Sequence, residues 1–78
     1  MASIHHPIFN PTSIRIHFYL EDHVSQVLEA TPLRVTYKAF DQDAAIVATA
    51  NLIAHGHPAH CFPVAHLNRV SWHVNAQL

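Results

Sequence analysis

The fold is decided by residues 33–56, which read LRVTYKAFDQDAAIVATANLIAHG. The first seven of these residues alternate between apolar and polar side chains, and this period of two predicts a strand over residues 33–40. Asp41 next offers an N-cap side chain, and Gly56 suits the left-handed position that follows a helix. The sequence therefore predicts a helix over residues 42–55 that begins as soon as the strand has ended.

Two other stretches alternate in the same way. Residues 13–21 and 69–76 place apolar side chains on one side and polar or charged side chains on the other, which predicts a strand in each. Residues 60–63 predict a short edge strand that is stopped by its proline. The residues between this strand and the last one, 64–68, predict a turn.

The segment between the first two predicted strands fits two structures. In residues 22–31 the apolar positions have helical spacing and Asp22 offers a cap, which favours a short helix or helical turn, and a longer first hairpin is the alternative. Residues 1–12 have no period and predict an N-terminal arm. The chain thus predicts a single α+β domain over residues 1–78, with a small antiparallel sheet of three to four strands and one main helix packed on one face.

The four Lys and Arg residues of the chain all fall on the polar side of the predicted strands. Charges of half-buried strands point outward in any case, but here no Lys or Arg lies elsewhere. Arginine suits bidentate contact with carboxylates and phosphates, and rings on a sheet can stack on bases. We therefore expect a partner-binding face made of Arg15, His17, Tyr19, Arg34, Lys38, Arg69 and His73.

Composition narrows the class of partner. Half of the 78 residues are hydrophobic and the formal net charge is −1, which argues against disorder and against a generic polyanion binder. An acidic protein surface is therefore favoured over direct contact with nucleic acid. No apolar run reaches about 18 residues, and the single Cys61 excludes an internal disulfide, so we expect a cytoplasmic protein with no membrane contact.

Histidines and the cysteine gather near the end of the chain. Imidazole and thiolate are natural zinc ligands, and a structural site needs about four of them. His60 and Cys61 are neighbours, however, and neighbours in a strand point to opposite faces. We expect no cofactor, and keep as an alternative a His-rich metal-binding module with the ligand set His57, His60, Cys61 and His66.

Catalytic signatures are weak in this sequence. Cys61 beside a histidine can form a nucleophile pair, but a lone cysteine next to Phe62 is more often a small core residue. The sequence has no nucleophile elbow, phosphate loop or pair of facing carboxylates. We expect no catalytic residues and no enzymatic activity.

The stretch from Leu33 to Gly56 resembles small phage-encoded proteins, in several of which a strand ends in an acidic or Ser-containing turn and leads into an Ala-rich helix. Some anti-CRISPR proteins of type I systems are built this way, and the resemblance covers about a third of the chain. The resemblance assigns no functional role to any residue of this chain. It implies stoichiometric binding to a type I CRISPR-Cas surveillance complex in a bacterial host cell, which blocks target DNA binding or nuclease recruitment.

Two expectations complete the sequence-based account. The predicted helix over residues 42–55 is apolar on nearly all sides, and such a helix is covered on more than one side, so a homodimer is one expected state. The alternative to a protein-binding inhibitor is a small nucleic-acid-binding protein that uses the same sheet face.

Overall fold

The structure, a computed structural model, describes residues 11–78 and the side chains of residues 16–78. The elements in chain order are α1 (Pro11–Leu20), β1 (Val24–Ala30), β2 (Arg34–Ala39), α2 (Gln42–Ala54), β3 (Ala59–His66) and β4 (Arg69–Gln77). The strands form one antiparallel sheet in the order β1-β2-β4-β3. The predicted α+β class, with a small antiparallel sheet and one main helix, is confirmed.

Both helices contribute to a core on one face of this sheet. Ile16 and Leu20 of α1 are fully buried, and so are Ala45, Ala48 and Leu52 of α2. The sheet residues buried beneath them come from β1, β2 and β4, and they are Val24, Val35, Tyr37, Ala39, Val74 and Ala76. No helix within residues 11–78 is both long and apolar enough to cross a membrane.

The β2–α2 connection follows the prediction closely. The side chain of Asp41 accepts a hydrogen bond from the backbone N–H of Ala44 at 2.8 Å, so it caps the first turn of α2. At the other end Gly56 has a φ of 87°, a left-handed conformation that glycine adopts without a steric penalty. The predicted strand over 33–40 and helix over 42–55 are confirmed to within a residue or so.

The predicted strand over residues 13–21 is wrong, because residues 11–20 form α1. Ile16 and Leu20 are four residues apart, which places them on one side of a helix, and both are fully buried. Pro11 at the first helical position is also typical of a helix start. Apolar residues at every second position fitted a strand equally well, and tertiary packing selects the helix.

The favoured helical turn within residues 22–31 is also wrong, because β1 lies there and forms the first hairpin with β2. The pairing of these strands shifts register between Val24 and Gln26 and again between Val27 and Glu29. Such irregularities interrupt the alternation of apolar and polar residues. The strand therefore has no clean period of two in its sequence.

The third predicted strand is longer than expected. β3 continues through Pro63 to His66, and only Leu67 and Asn68 form the turn before β4. Proline is tolerated there because β3 is an edge strand, whose outer side needs no N–H donor. The predicted N-terminal arm falls mostly outside the described residues, and its last two residues belong to α1.

Candidate docking face

One face of the sheet points away from both helices, and we call it the open face. Residues paired directly across an antiparallel sheet have side chains on the same face. One row across the open face comprises Glu29, Thr36, Asn75 and His60, and the next comprises Gln26, Lys38, His73 and Phe62. Arg34 and Gln77 lie at one end of this face, and Arg69 and His66 lie at the other.

Three basic side chains are spread along the open face. Arg69 and His73 are four residues apart on β4, which is about 13 Å at the rise of a strand. Lys38 lies beside His73, and Arg34 is four residues from Lys38 along β2. The positive charges therefore stand at three levels along the strand direction, at intervals of about 13 Å.

Most of this positive charge has no ion-pair partner among the side chains of residues 16–78. Arg34 forms an ion pair with Glu29 at 3.7 Å, and both side chains are well exposed. An exposed pair of this kind contributes about 0–1 kcal/mol. Within residues 16–78, neither Lys38 nor Arg69 has an acidic group within ion-pair distance. These two side chains are available to a partner.

A group of rings lies next to Lys38. The ring of Phe62 stacks on His60 with centroids 5.4 Å apart and meets His73 edge-on at 5.7 Å. Phe62 and His73 are half-buried and His60 is exposed. The three rings form a semi-apolar platform on β3 and β4, beside the basic residues.

The centre of the open face is held by a polar contact between the two inner strands. The side-chain amide of Asn75 donates a hydrogen bond to the hydroxyl of Thr36 at 2.8 Å. Polar cross-strand pairs contribute about 0.2–1 kcal/mol each. The contact fixes the side chains of Thr36 and Asn75 in the middle of the face. The charged and aromatic side chains on either side remain exposed or half-buried.

Three residues of the predicted face lie elsewhere. Arg15, His17 and Tyr19 belong to α1, so the expectation that they share a sheet surface with Lys38 is wrong. The ring of Tyr19 stacks on His55, at the end of α2, with centroids 3.9 Å apart. The sequence predicts a strand for these residues, whereas they belong to a helix that packs on the other face of the sheet. Arg34, Lys38, Arg69 and His73 lie on one face of the sheet, and their part in partner binding stays a prediction.

His17 has a structural contact. Its Nδ1 atom lies 2.6 Å from the hydroxyl of Tyr37, and the two rings meet edge-on at 5.5 Å. Tyr37 is fully buried, and this burial raises the pKa of its hydroxyl well above its ordinary value. The contact therefore joins α1 to the central strand β2 through a hydroxyl that remains protonated.

The four residues of the alternative metal site do not come together. Cys61 pairs with Val74 on the helix-covered face, whereas His60 and His66 lie on the open face about 20 Å apart. His57 has its Nδ1 atom 3.2 Å from the backbone carbonyl oxygen of Gln77. Among the described residues no group of three or more His, Cys, Asp or Glu side chains is placed to hold a metal ion.

Sequence reasoning missed His60 and Phe62 as members of the face. The sequence predicts only a short edge strand over residues 60–63, too short to connect these side chains with the basic residues. The signal that could have found them is the period of two that places residues 60, 62, 64 and 66 on one side of β3. Comparison with known proteins finds no matching family model, no matching curated protein and no matching solved structure.

Proposed function

We propose that this chain is a non-catalytic binding protein whose open face docks on an acidic surface of a partner protein. The observation that carries the proposal is the charge of that face. Arg34, Lys38 and Arg69 stand against the single acidic residue Glu29 on the strands, although the whole chain has a formal net charge of −1. A local positive surface on a chain that is not basic favours a specific acidic partner over nonspecific polyanion binding.

The ring platform supports the same proposal. Aromatic and arginine side chains are enriched at protein interfaces, where they supply a large contact area. Phe62 offers such an area between His60 and His73, with Lys38 directly alongside. The face thus combines a semi-apolar ring platform with charged residues beside it, and protein-binding surfaces commonly combine such groups.

We propose as partner a type I CRISPR-Cas surveillance complex, with the chain acting as a phage or mobile-element inhibitor in the cytoplasm of a bacterial host cell. What supports this partner is the resemblance of residues 33–56 to anti-CRISPR proteins, in which a strand leads through an acidic turn into an Ala-rich helix. By occupying an acidic patch of the complex, the chain would block target DNA binding or nuclease recruitment.

The test is co-elution of the purified chain with a panel of purified type I surveillance complexes in size-exclusion chromatography. A stoichiometric peak with one complex is the expected result, and target DNA binding or nuclease recruitment by that complex should then be inhibited. Failure to bind any complex of a broad panel would overturn the proposed partner. It would leave the docking face to be tested against other acidic proteins.

A double charge reversal tests the face itself. Arg34→Glu with Lys38→Glu should weaken binding by about a hundredfold or more, because like charges placed against each other cost several kcal/mol. The matched control is Arg34→Lys with Lys38→Arg, which preserves the charge and should bind much more tightly than the charge-reversal variant. Both variants should unfold at the wild-type urea concentration. Normal binding by the folded charge-reversal variant would rule out the open face as the contact surface.

A nucleic-acid-binding function is the second candidate, and the ring platform beside Lys38 is the observation that favours it. Aromatic rings on a sheet stack on bases of single strands, at about 1–3 kcal/mol per base. Binding of single-stranded oligonucleotides that weakens steeply with salt and is lost in Phe62→Ala would support this function. Absence of oligonucleotide binding at low salt would exclude it.

A further inference from the structure

The β3–β4 hairpin extends past the rest of the sheet. Pairing between β2 and β4 ends at Lys38 and His73, whereas β3 and β4 remain paired as far as His66 and Arg69. The tip of the hairpin therefore stands about 16 Å beyond the last pair of the central strands. We call residues 64–71 the ribbon.

The ribbon carries apolar side chains that the fold does not cover. Leu67 at the tip is 91% exposed and Val70 is 61% exposed. A two-stranded hairpin is marginally stable at best when it stands alone in water, and exposed apolar side chains add nothing to it. These two side chains are exposed to contact with another molecule.

The backbone of Leu67 strengthens this argument. Leu67 has a φ of 55°, a left-handed conformation that costs a side-chain-bearing residue about 1–2 kcal/mol. Glycine and asparagine adopt it readily, and they predominate in two-residue hairpin turns. A leucine at this position neither favours the turn nor packs in the core. Strained positions of this kind often mark functional sites.

The same end of the molecule carries most of the negative charge of the chain. Glu21 and Asp22 lie in the turn before β1, and Asp41 and Asp43 lie at the start of α2. The two segments are adjacent, because the backbone N–H of Phe40 donates a hydrogen bond to the carbonyl oxygen of His23 at 3.2 Å. We call these four acidic residues, out of five in the chain, the acidic corner.

Uncovered apolar side chains follow the acidic corner along the chain. Ile46 and Val47, in the first half of α2, are 50% and 43% exposed. One surface region thus joins an acidic corner to an apolar stretch of helix. The ribbon has the complementary properties, since Leu67 and Val70 are apolar while His66 and Arg69 lie on its other side.

We propose that two copies of the chain pair by exchanging ribbons. The ribbon of each copy lies across the start of α2 of the other copy, with Leu67 at its tip against Ile46 and Val47, and with Arg69 facing the acidic corner. Within one copy Arg69 has no acidic group of residues 16–78 within ion-pair distance. A second copy supplies both the apolar and the acidic complement, and twofold symmetry satisfies both contacts twice and closes the assembly.

This pairing goes beyond the proposed docking function and shares only Arg69 with the docking face. The ribbon and α2 meet at one end of the molecule, while Arg34, Lys38 and the ring platform occupy the other part of the open face. Self-association is measured on the chain alone, so its result does not depend on whether a partner protein has been found.

Sedimentation velocity of the full chain over a wide concentration range tests the pairing. The wild type should shift from monomer to dimer as concentration rises. Leu67→Asn should raise the dissociation constant of the dimer about tenfold or more, because it removes the apolar anchor while asparagine retains the turn. The matched control is Leu33→Asn, the same change at a leucine that is 79% exposed at the opposite end, and its dimerisation should equal the wild type.

A charge exchange tests the acidic contact separately. Arg69→Glu and Asp43→Lys should each weaken dimerisation, and the two together should restore it, because the pair is re-formed with reversed signs. Three results would overturn the proposal: a wild type that stays monomeric at the highest concentration, a dimer indifferent to Leu67→Asn, and a charge-exchanged variant no better than its single variants. Circular dichroism of each variant verifies that the fold is retained.

Discussion

The two faces of the sheet are built from the same strands and have opposite properties. On the helix-covered face Val35, Tyr37 and Val74 are almost entirely removed from water, and with the helices they form the core. On the open face Lys38 and His73, their immediate neighbours in sequence, retain contact with solvent. Residues that stabilise the fold and residues of the proposed docking face therefore alternate along each strand. Substitutions on one face should change folding, and those on the other should change binding.

The largest effect on folding is expected at Leu52. It is fully buried in α2, so Leu52→Ala leaves a cavity in the core and should lower the free energy of unfolding by about 2–5 kcal/mol. The matched control is Ile53→Ala on the next residue, which is 56% exposed and should change that free energy by no more than about 0.5 kcal/mol. Urea unfolding of the three proteins measures both. Equal losses in the two variants would contradict the assignment of the helix face that packs on the sheet.

Tyr37 is expected to have the next largest effect. Tyr37→Phe removes the hydroxyl that contacts His17 and should lower the free energy of unfolding at neutral pH by about 1–2 kcal/mol. Tyr19→Phe is the control, since the stacked ring on His55 is retained. Thermal unfolding compares them, and a Tyr37→Phe variant as stable as the wild type would contradict a structural role for this contact.

The same residue predicts a loss of stability in alkali. Burial raises the pKa of Tyr37, so above pH of about 10 the unfolded chain releases this proton while the folded chain retains it. The free energy of unfolding should then fall by up to about 1.4 kcal/mol per pH unit from this residue alone, and below pH of about 10 it contributes no slope. In Tyr37→Phe the free energy of unfolding should fall less steeply as the pH rises above about 10. Identical slopes for variant and wild type would show that the hydroxyl is not desolvated.

The N-cap of α2 should have a smaller effect. Asp41→Ala removes the acceptor for the N–H of Ala44 and should lower the free energy of unfolding by about 1 kcal/mol. Asp43→Ala removes a charge near the same helix end without removing a cap, and about 0.3–0.5 kcal/mol is expected. Urea unfolding at low salt ranks the two, and a reversed order would contradict the capping role of Asp41.

The smallest effect on folding is expected on the open face. Thr36→Val removes the hydroxyl that accepts from Asn75 and should lower the free energy of unfolding by about 0.5–1 kcal/mol, whereas Thr36→Ser retains the acceptor and should lose less. If Thr36→Val cost as much as Leu52→Ala, the open face would be part of the stabilising structure. The distinction between a face that stabilises the fold and a face that binds a partner would then be wrong.

The sequence predicts best where local signals and tertiary packing agree. The alternation of β2, the cap Asp41 and the left-handed Gly56 each specify one structure, and that part of the fold was predicted almost to the residue. Residues 13–20 carry a strand-like alternation and β-branched side chains, yet burial of Ile16 and Leu20 makes them helical. The sequence of this segment alone fits the period of a strand and the period of a helix equally well.

The candidate face was predictable to the extent that its strands were. Arg34, Lys38, Arg69 and His73 follow directly from the alternation of β2 and β4. Phe62 was missed, because its role depends on β3 continuing past a proline and on its lying at the edge next to β4. Strand order and edge position are long-range properties, and local sequence patterns do not specify them.

Cross-saturation NMR identifies which face of the sheet contacts a bound partner. The chain, deuterated and ¹⁵N-labelled, would be bound to any surveillance complex found to co-elute with it, and the amides that lose intensity would be mapped. We expect losses centred on Lys38, Phe62 and His73, with the amides of Ile53 and its neighbours on α2 unaffected. Losses confined to α1 and α2, with the open face unchanged, would contradict the proposed docking face.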